Sequence, residues 1–176
     1  SEHQSLGRGQ RGHSWHSAEG KNLTFSVVLH PTFLPIVEQF LLSEVVALSL
    51  VDAMAEYGIE CRIKWTNDIY VEDSKLVGVL IEHSLSGDTL ARTIVGIGLN
   101  VNQIEFPDDL PNPTSMALCC GREFRREEVL DCFMRKLEEW YEVLASGGKQ
   151  QVEERYVSGM YHLGEEHHYM LPSGER

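Results

Sequence analysis

Positive charge is what this sequence has least of. Fifteen Lys and Arg stand against 27 Asp and Glu, a net charge of −12. That excludes a broad nucleic-acid-binding surface, because neutralising phosphates takes clustered cations. No helix-turn-helix pattern opens the chain either. Cysteine is scarce, with only Cys61, Cys119, Cys120 and Cys132. They form no C-x-x-C pair, and adjacent Cys119 and Cys120 make a poor disulfide framework, so a reduced, cytoplasmic compartment is expected. No apolar run is long enough to cross a bilayer, and the start lacks the charged-then-apolar pattern of a signal peptide, so no membrane partner is expected. Repeats and low-complexity segments are missing too.

What remains is a chain of 176 residues, 42% hydrophobic. That is enough for one domain with its own core and no disulfide or structural metal. The acid is unevenly spread. From Glu105 onward acids outnumber bases roughly two to one, whereas the opening segment carries Arg8, Arg11 and Lys21. A locally basic loop on an acidic protein suits a small anionic substrate.

The patterning predicts α+β, with a mixed, largely antiparallel sheet packed with helices. LTFSVVLH (residues 23–30) reads as a strand. A long apolar stretch from Leu34 to Tyr57, with Pro35 near its start and Gly58 at its end, reads as a helix. IECRIKW (59–65) alternates like a strand. IYVED followed by KLVGVLIEHS reads as a hairpin turning at Asp73–Ser74, and TIVGIGLNVN (93–102) as a further strand. The proline-rich EFPDDLPNP (105–113) leads to a short helix, TSMALCC, ending at Gly121. A helix from Arg126 to Ala145 follows, with Leu130, Phe133, Leu137, Trp140 and Leu144 on its core face, then a helical piece over 150–157.

GRGQRGHSW (7–15) carries the G-x-G-x-x-G spacing of a dinucleotide-binding turn. That fingerprint needs a buried strand before it and a helix opening at its last glycine. The preceding residues are mostly polar and HSWHSAEGKNL has no helical period, so both flanks fail. No G-K-[ST] follows, which removes the P-loop. The glycines still allow backbone N–H groups to turn inward around an anion, and Arg8 adds a planar fork suited to carboxylate or phosphate. A mobile surface loop with solvated arginines is the plainer alternative.

Further segments decide between them. KWTND and KLVGVLIE place Lys64, Asn67, Asp68 and Lys75 around a strand-turn-strand. GIGLN places Gly96, Gly98 and Asn100 at the end of a strand, and SAEGKNL follows Trp15. Together these motifs, in this order, resemble the biotin protein ligases: a GRG-type loop with a Trp, an S-x-x-G-x-N-L tail, K-W-P-N-D, K-L-x-G-[IV]-L-[IV]-E and G-x-G-[IL]-N. The resemblance covers about residues 2–120 and is specific because independent motifs co-occur.

The resemblance implies a class II synthetase-like fold. It also implies ATP-dependent activation of biotin to biotinyl-5′-AMP, then transfer to a lysine of a carboxylase's biotin carrier domain. Lys75, Arg8 and Asp68 would be the catalytic groups. Biotin would be held by Gln4, Gly7, Arg8, Gly9, Gln10, Lys75, Gly78 and Gly96. The nucleotide would lie near Arg11, His13, Trp15, Asn67 and Asn100. Asp68 would either help hold Mg²⁺ brought with ATP or orient the acceptor lysine. The loop would order over the adenylate and keep water from it.

Plainer readings stand beside these. Lys64 and Asp68 suit a turn salt bridge, and Trp15 suits a core aromatic. His162, Glu165, Glu166, His167 and His168 have metal-binding side chains but fit no zinc spacing. Two departures matter. Gln10 stands where many relatives carry Arg, so weaker retention of the intermediate is expected. Thr66 replaces the usual Pro of the turn. A catalytic domain is expected over residues 1–160, with its first strand and a Ser-Thr element missing, and residues 161–176 as the start of a truncated small β-domain. An exposed edge strand leaves room for a homodimer. The rival readings are a lipoate or octanoate ligase and a non-catalytic biotin-binding module.

Overall fold

The computed structural model describes residues 7–8, 14–87 and 89–166, with residues 7, 8 and 14 described by backbone only. Two short strands, β1 (Gly7–Arg8) and β2 (Ser14–Trp15), pair antiparallel, Gly7 with Trp15 and Arg8 with Ser14. The main sheet has five strands: β3 (Leu23–Leu29), β4 (Arg62–Lys64), β5 (Asp68–Val71), β6 (Ser74–Ser86) and β7 (Thr89–Leu99). Their order is β3-β7-β6-β5-β4. Every neighbouring pair is antiparallel. Among the described residues, parallel pairing is confined to isolated bridges at Ile63–Met160 and Lys75–Pro113.

Alternation gives the sheet two different faces. Ile63, Ile69, Val77, Val79, Val95, Ile97 and Leu99 are all buried and point to the helices. The opposite face carries Gly78, paired with Gly98, and Gly96, paired with Leu80 and Ser26. Helix α1 (Phe40–Ala55) is buried on nearly all sides, from Leu41 to Met54. That is why it shows little amphipathic period: it lies between the sheet and the helices outside it. Its end is set by Gly58 at φ +76°. Ile59 N–H donates to Met54 O and Gly58 N–H to Ala55 O, the Schellman closure that glycine permits. Pro35 does not open α1 itself. It precedes a 3-10 turn, Ile36–Glu38, so the predicted long helix starts later.

Helices α2 (Met116–Cys120), α3 (Arg126–Ala145) and α4 (Lys149–Ser158) complete the layer. Phe133 of α3 meets Phe25 of β3 edge-on at 5.7 Å. Trp140 Nε1 donates to Asp52 of α1 at 2.8 Å, and Arg155 of α4 reaches the same carboxylate. The buried face of α3 is Val129, Cys132, Phe133, Leu137 and Leu144. Leu130 and Trp140 are half-buried, because the stripe drifts around the helix towards α1.

One buried carboxylate breaks the apolar pattern. Glu44 of α1 is 7% exposed and its Oε2 has no hydrogen-bond partner. Burial, aided by Glu153, pushes its pKa up to about 7 against a smaller opposing effect of Lys149. Lys149 is engaged by Glu38 at 2.7 Å. An acid whose native pKa is raised destabilises the fold as pH rises from the unfolded value through the native one. Glu44→Gln is therefore expected to match the parent near pH 4.5. It should gain on it up to about pH 7, by up to roughly 3 kcal/mol. Thermal unfolding of both proteins across that range checks this, and a constant difference would contradict it.

Candidate functional site

The site forms on the glycine face, where three backbone features converge. The first is a hairpin corner. Strands β5 and β6 turn at Glu72–Asp73, one residue earlier than the sequence suggests, with Glu72 at φ +49°. A register shift between Ile69 and Tyr70 pairs Tyr70 with Lys75 and Asp68 with Gly78. Lys75 Nζ then reaches Asp68 Oδ2 at 2.8 Å, each side chain about one-third exposed (32% and 31%).

That ion pair resolves the alternative for Lys64. Lys64 lies opposite Asp68 in the register, but its Nζ goes to the Tyr70 hydroxyl at 3.0 Å and sits 4.5 Å from the Tyr70 ring centroid. Asp68 takes the other lysine.

The second feature is the turn carrying Asn67. Its side chain is buried and Nδ2 donates to Val79 O, on β6 just beyond the last residue paired with β5. Thr66 Oγ1 donates to Asn67 Oδ1 at 2.6 Å, and Tyr156 of α4 donates to Thr66 O at 2.9 Å. Asn67 thus holds the turn that presents Asp68.

The third feature is the glycine row. Trp15 lies flat over it: a Cβ added to Gly98 would fall 2.6 Å from Trp15 Cζ2, and one added to Gly78 would fall 3.0 Å from Cζ3 and 3.3 Å from Lys75 Cε. At Gly98 only hydrogen lets the indole approach, whereas at Gly78 a Cβ would crowd the indole and the Lys75 stem. Trp15 Nε1 is buried without a partner among the described residues. Gly96 differs. A Cβ there would meet nothing closer than 3.5 Å. Sequence reasoning selected Gly96 and Gly78 for the floor. Gly98, the cross-strand partner of Gly78, was named in the GIGLN segment but given no role, and cross-strand pairing was the signal that could have found it.

Asn100 follows β7. It is buried, its Nδ2 donates to Thr114 O at 2.9 Å, and its main chain bridges Leu76 and Met116. Its Oδ1 is buried and unpartnered. Beyond it, Asn22, Asn102 and Gln103 form a buried web that closes the sheet end: Asn22 Nδ2 to Gln103 Oε1, and Phe124 N to Asn102 Oδ1. This web ends β7 at Leu99, short of the predicted 102.

Gly7 and Arg8 are placed by backbone in β1, beside the strand that ends in Trp15. Gln4, Gly9, Gln10, Arg11 and His13 lie outside the described residues, as do His167 and His168. No cluster of three metal-binding side chains occurs among the described residues. No described helix is long and apolar enough to cross a membrane.

The floor gives a direct test. Gly98→Ala is expected to displace the Trp15 indole, whereas Gly96→Ala leaves it in place. The readout is acrylamide quenching of Trp15 in a background with Trp65 and Trp140 replaced by Phe. Equal quenching in the two variants would refute the packing.

The fold agrees with comparisons to known proteins. The profile of the biotin/lipoate A/B protein ligase family matches residues 1–100. The bifunctional ligase/repressor BirA of Bacillus subtilis is 34% identical over 145 residues, covering 78% of this chain and 44% of that protein. The biotin–[acetyl-CoA-carboxylase] ligase of Paracoccus denitrificans is 32% identical over 174 residues, covering 92% of this chain and 70% of that protein. The structure of biotin protein ligase from Aquifex aeolicus with biotin and ATP superposes with a TM-score of 0.81 at 34% identity, covering 93% of this chain and 68% of that one. The chain thus spans under half the length of the Bacillus relative. With its five-stranded antiparallel sheet, helices on one face and motifs in register, the chain belongs to the biotin/lipoate A/B protein ligase family.

Proposed function

We propose that this protein joins biotin to a lysine of a carboxylase's carrier domain in two ATP-dependent steps. In the first, a biotin carboxylate oxygen attacks the α-phosphorus of Mg-ATP. The bond from that phosphorus to the bridging oxygen breaks, and pyrophosphate leaves with its electron pair. In the second, the acceptor amine attacks the acyl carbon, AMP departs, and the amine proton passes to a base. The free, unlinked cysteines and the need for ATP suit the cytoplasm.

The observation that carries this reading is the Lys75–Asp68 pair beside a glycine floor roofed by Trp15. Step one forces two anions together, so a cation must neutralise both, and fixed electrostatics supplies most of the gain. Lys75 is that cation, released from Asp68 as the anions arrive. Arg8, on β1 beside the Trp15 strand, is its partner from the loop. Asp68, once freed, takes either the magnesium of the nucleotide or the incoming ammonium of the acceptor. Gln4, Gly7, Gly9, Gln10, Gly78 and Gly96 line the biotin side in this reading. Arg11, His13, Trp15, Asn67 and Asn100 frame the nucleotide. The unpartnered Trp15 Nε1 and Asn100 Oδ1 are a donor and an acceptor for the ligands.

The experiment is ATP–pyrophosphate exchange with the acid substrate varied. Exchange should require biotin, and Lys75→Ala should lower it by about 100-fold or more, the usual scale for losing one electrostatic stabiliser. Exchange driven by lipoate or octanoate instead would assign the other branch of the family. Biotin binding without exchange would mark a non-catalytic module.

A further inference from the structure

The proline-rich segment before α2 belongs to no motif, yet it touches the strand that carries Lys75. Strand β7 ends at Leu99, opposite Val77. The first residues of β6 therefore have β5 on one side and no strand on the other. Residues 112–114 fill that edge. Lys75 N–H donates to Asn112 O at 2.7 Å, and Thr114 N–H donates to Lys75 O at 3.0 Å, a parallel bridge centred on Pro113. Proline suits the middle of such a bridge because its neighbours supply both bonds. Asn112 also uses its side chain: Nδ2 donates to Asp73 O at 2.5 Å. One residue thus grips the chain on both sides of Ser74. The segment is held in turn by Asn100 Nδ2 on Thr114 O. On the far side of the corner, Tyr161 donates its hydroxyl to the Asp73 carboxylate.

We propose that Asn112 is a positioning residue for Lys75, fixing the corner from which the ammonium reaches the reacting anions. This rests on the ligase reading of Lys75. A lysine stem has four rotatable bonds, so the direction in which the ammonium projects depends on how firmly its main chain is held. Small misplacements of a catalytic group are costly in rate. The tie needs a main-chain acceptor and a short side-chain donor from one residue, which asparagine supplies. Aspartate has the same shape without the donor, and would set a carboxylate against the Asp73 carbonyl.

The test compares Asn112→Asp and Asn112→Ala with the parent in ATP–pyrophosphate exchange, using the full-length protein. Turnover should fall about tenfold, with the KM for biotin and for ATP unchanged within about twofold. The Lys75 amide should exchange with deuterium faster in both variants. In a Lys75→Ala background neither substitution should lower the residual rate further, a coupling that a merely structural role would not produce. Parental turnover in both variants, an unchanged Lys75 amide, or the same fold loss without Lys75 would each overturn the positioning role. A parent protein without any exchange would sink the ligase reading itself, a result distinct from an active parent indifferent to Asn112.

Discussion

The rest of the site is arranged around one ion pair, Lys75 to Asp68 across neighbouring strands at 2.8 Å. With both partners about one-third exposed, such a pair contributes on the order of 0–1 kcal/mol to stability. The frame around it is far more elaborate than that return explains. Asn67 ties the Asp68 turn to Val79, Tyr156 ties it to α4, and residues 112–114 complete the sheet beside Lys75. Such stiffness around a weak interaction points to geometry as its purpose. In the proposed reaction, the pair would keep the ammonium aimed until a substrate anion replaces the carboxylate.

In the proposed reaction, the long-range field works against the anionic substrates. A chain of net charge −12 repels carboxylates and phosphates, so attraction must come from cations at close quarters. The sheet provides this by using its faces differently. One face is a continuous apolar surface against α1 and α3. The other is pared down to glycine at 78 and 98, which lets an aromatic ring and a lysine stem lie within van der Waals contact of the backbone. A flat face becomes a recess without any break in the strands.

Much of this was legible in the sequence. The bounds of α3, Arg126–Ala145, follow from an apolar period set between polar breaks. The ordered motifs named the family and pointed to Lys75, Asp68, Gly78 and Trp15. What stayed hidden depends on register. A bulge at Ile69–Tyr70 is invisible in residue types, yet it gives Asp68 to Lys75 instead of Lys64. The same pairing selects Gly98 as the partner of Gly78. The resemblance puts Asn67 and Asn100 near the nucleotide, and the fold adds what a motif does not show: each Nδ2 donates to a main-chain carbonyl, while Asn100 Oδ1 has no partner among the described residues. Asn112 carries no motif at all. Its role comes from where β7 stops, and that is decided by a buried polar web around Asn102 and Gln103.

Two of the polar atoms left over bear on affinity. Trp15 Nε1 and Asn100 Oδ1 are buried without partners among the described residues. An unpaired buried donor or acceptor costs about 1–3 kcal/mol, and the folded chain carries that deficit at the place where its glycine floor and its lysine strand meet their neighbours. Apolar side chains there would have been more stable. Retaining an indole N–H and an amide oxygen makes sense if a bound molecule pairs with them, because the deficit is then recovered as binding free energy. A ligand with matching acceptor and donor is favoured over one of the same shape without them. In the proposed ligase, the same two atoms would be the source of its selectivity.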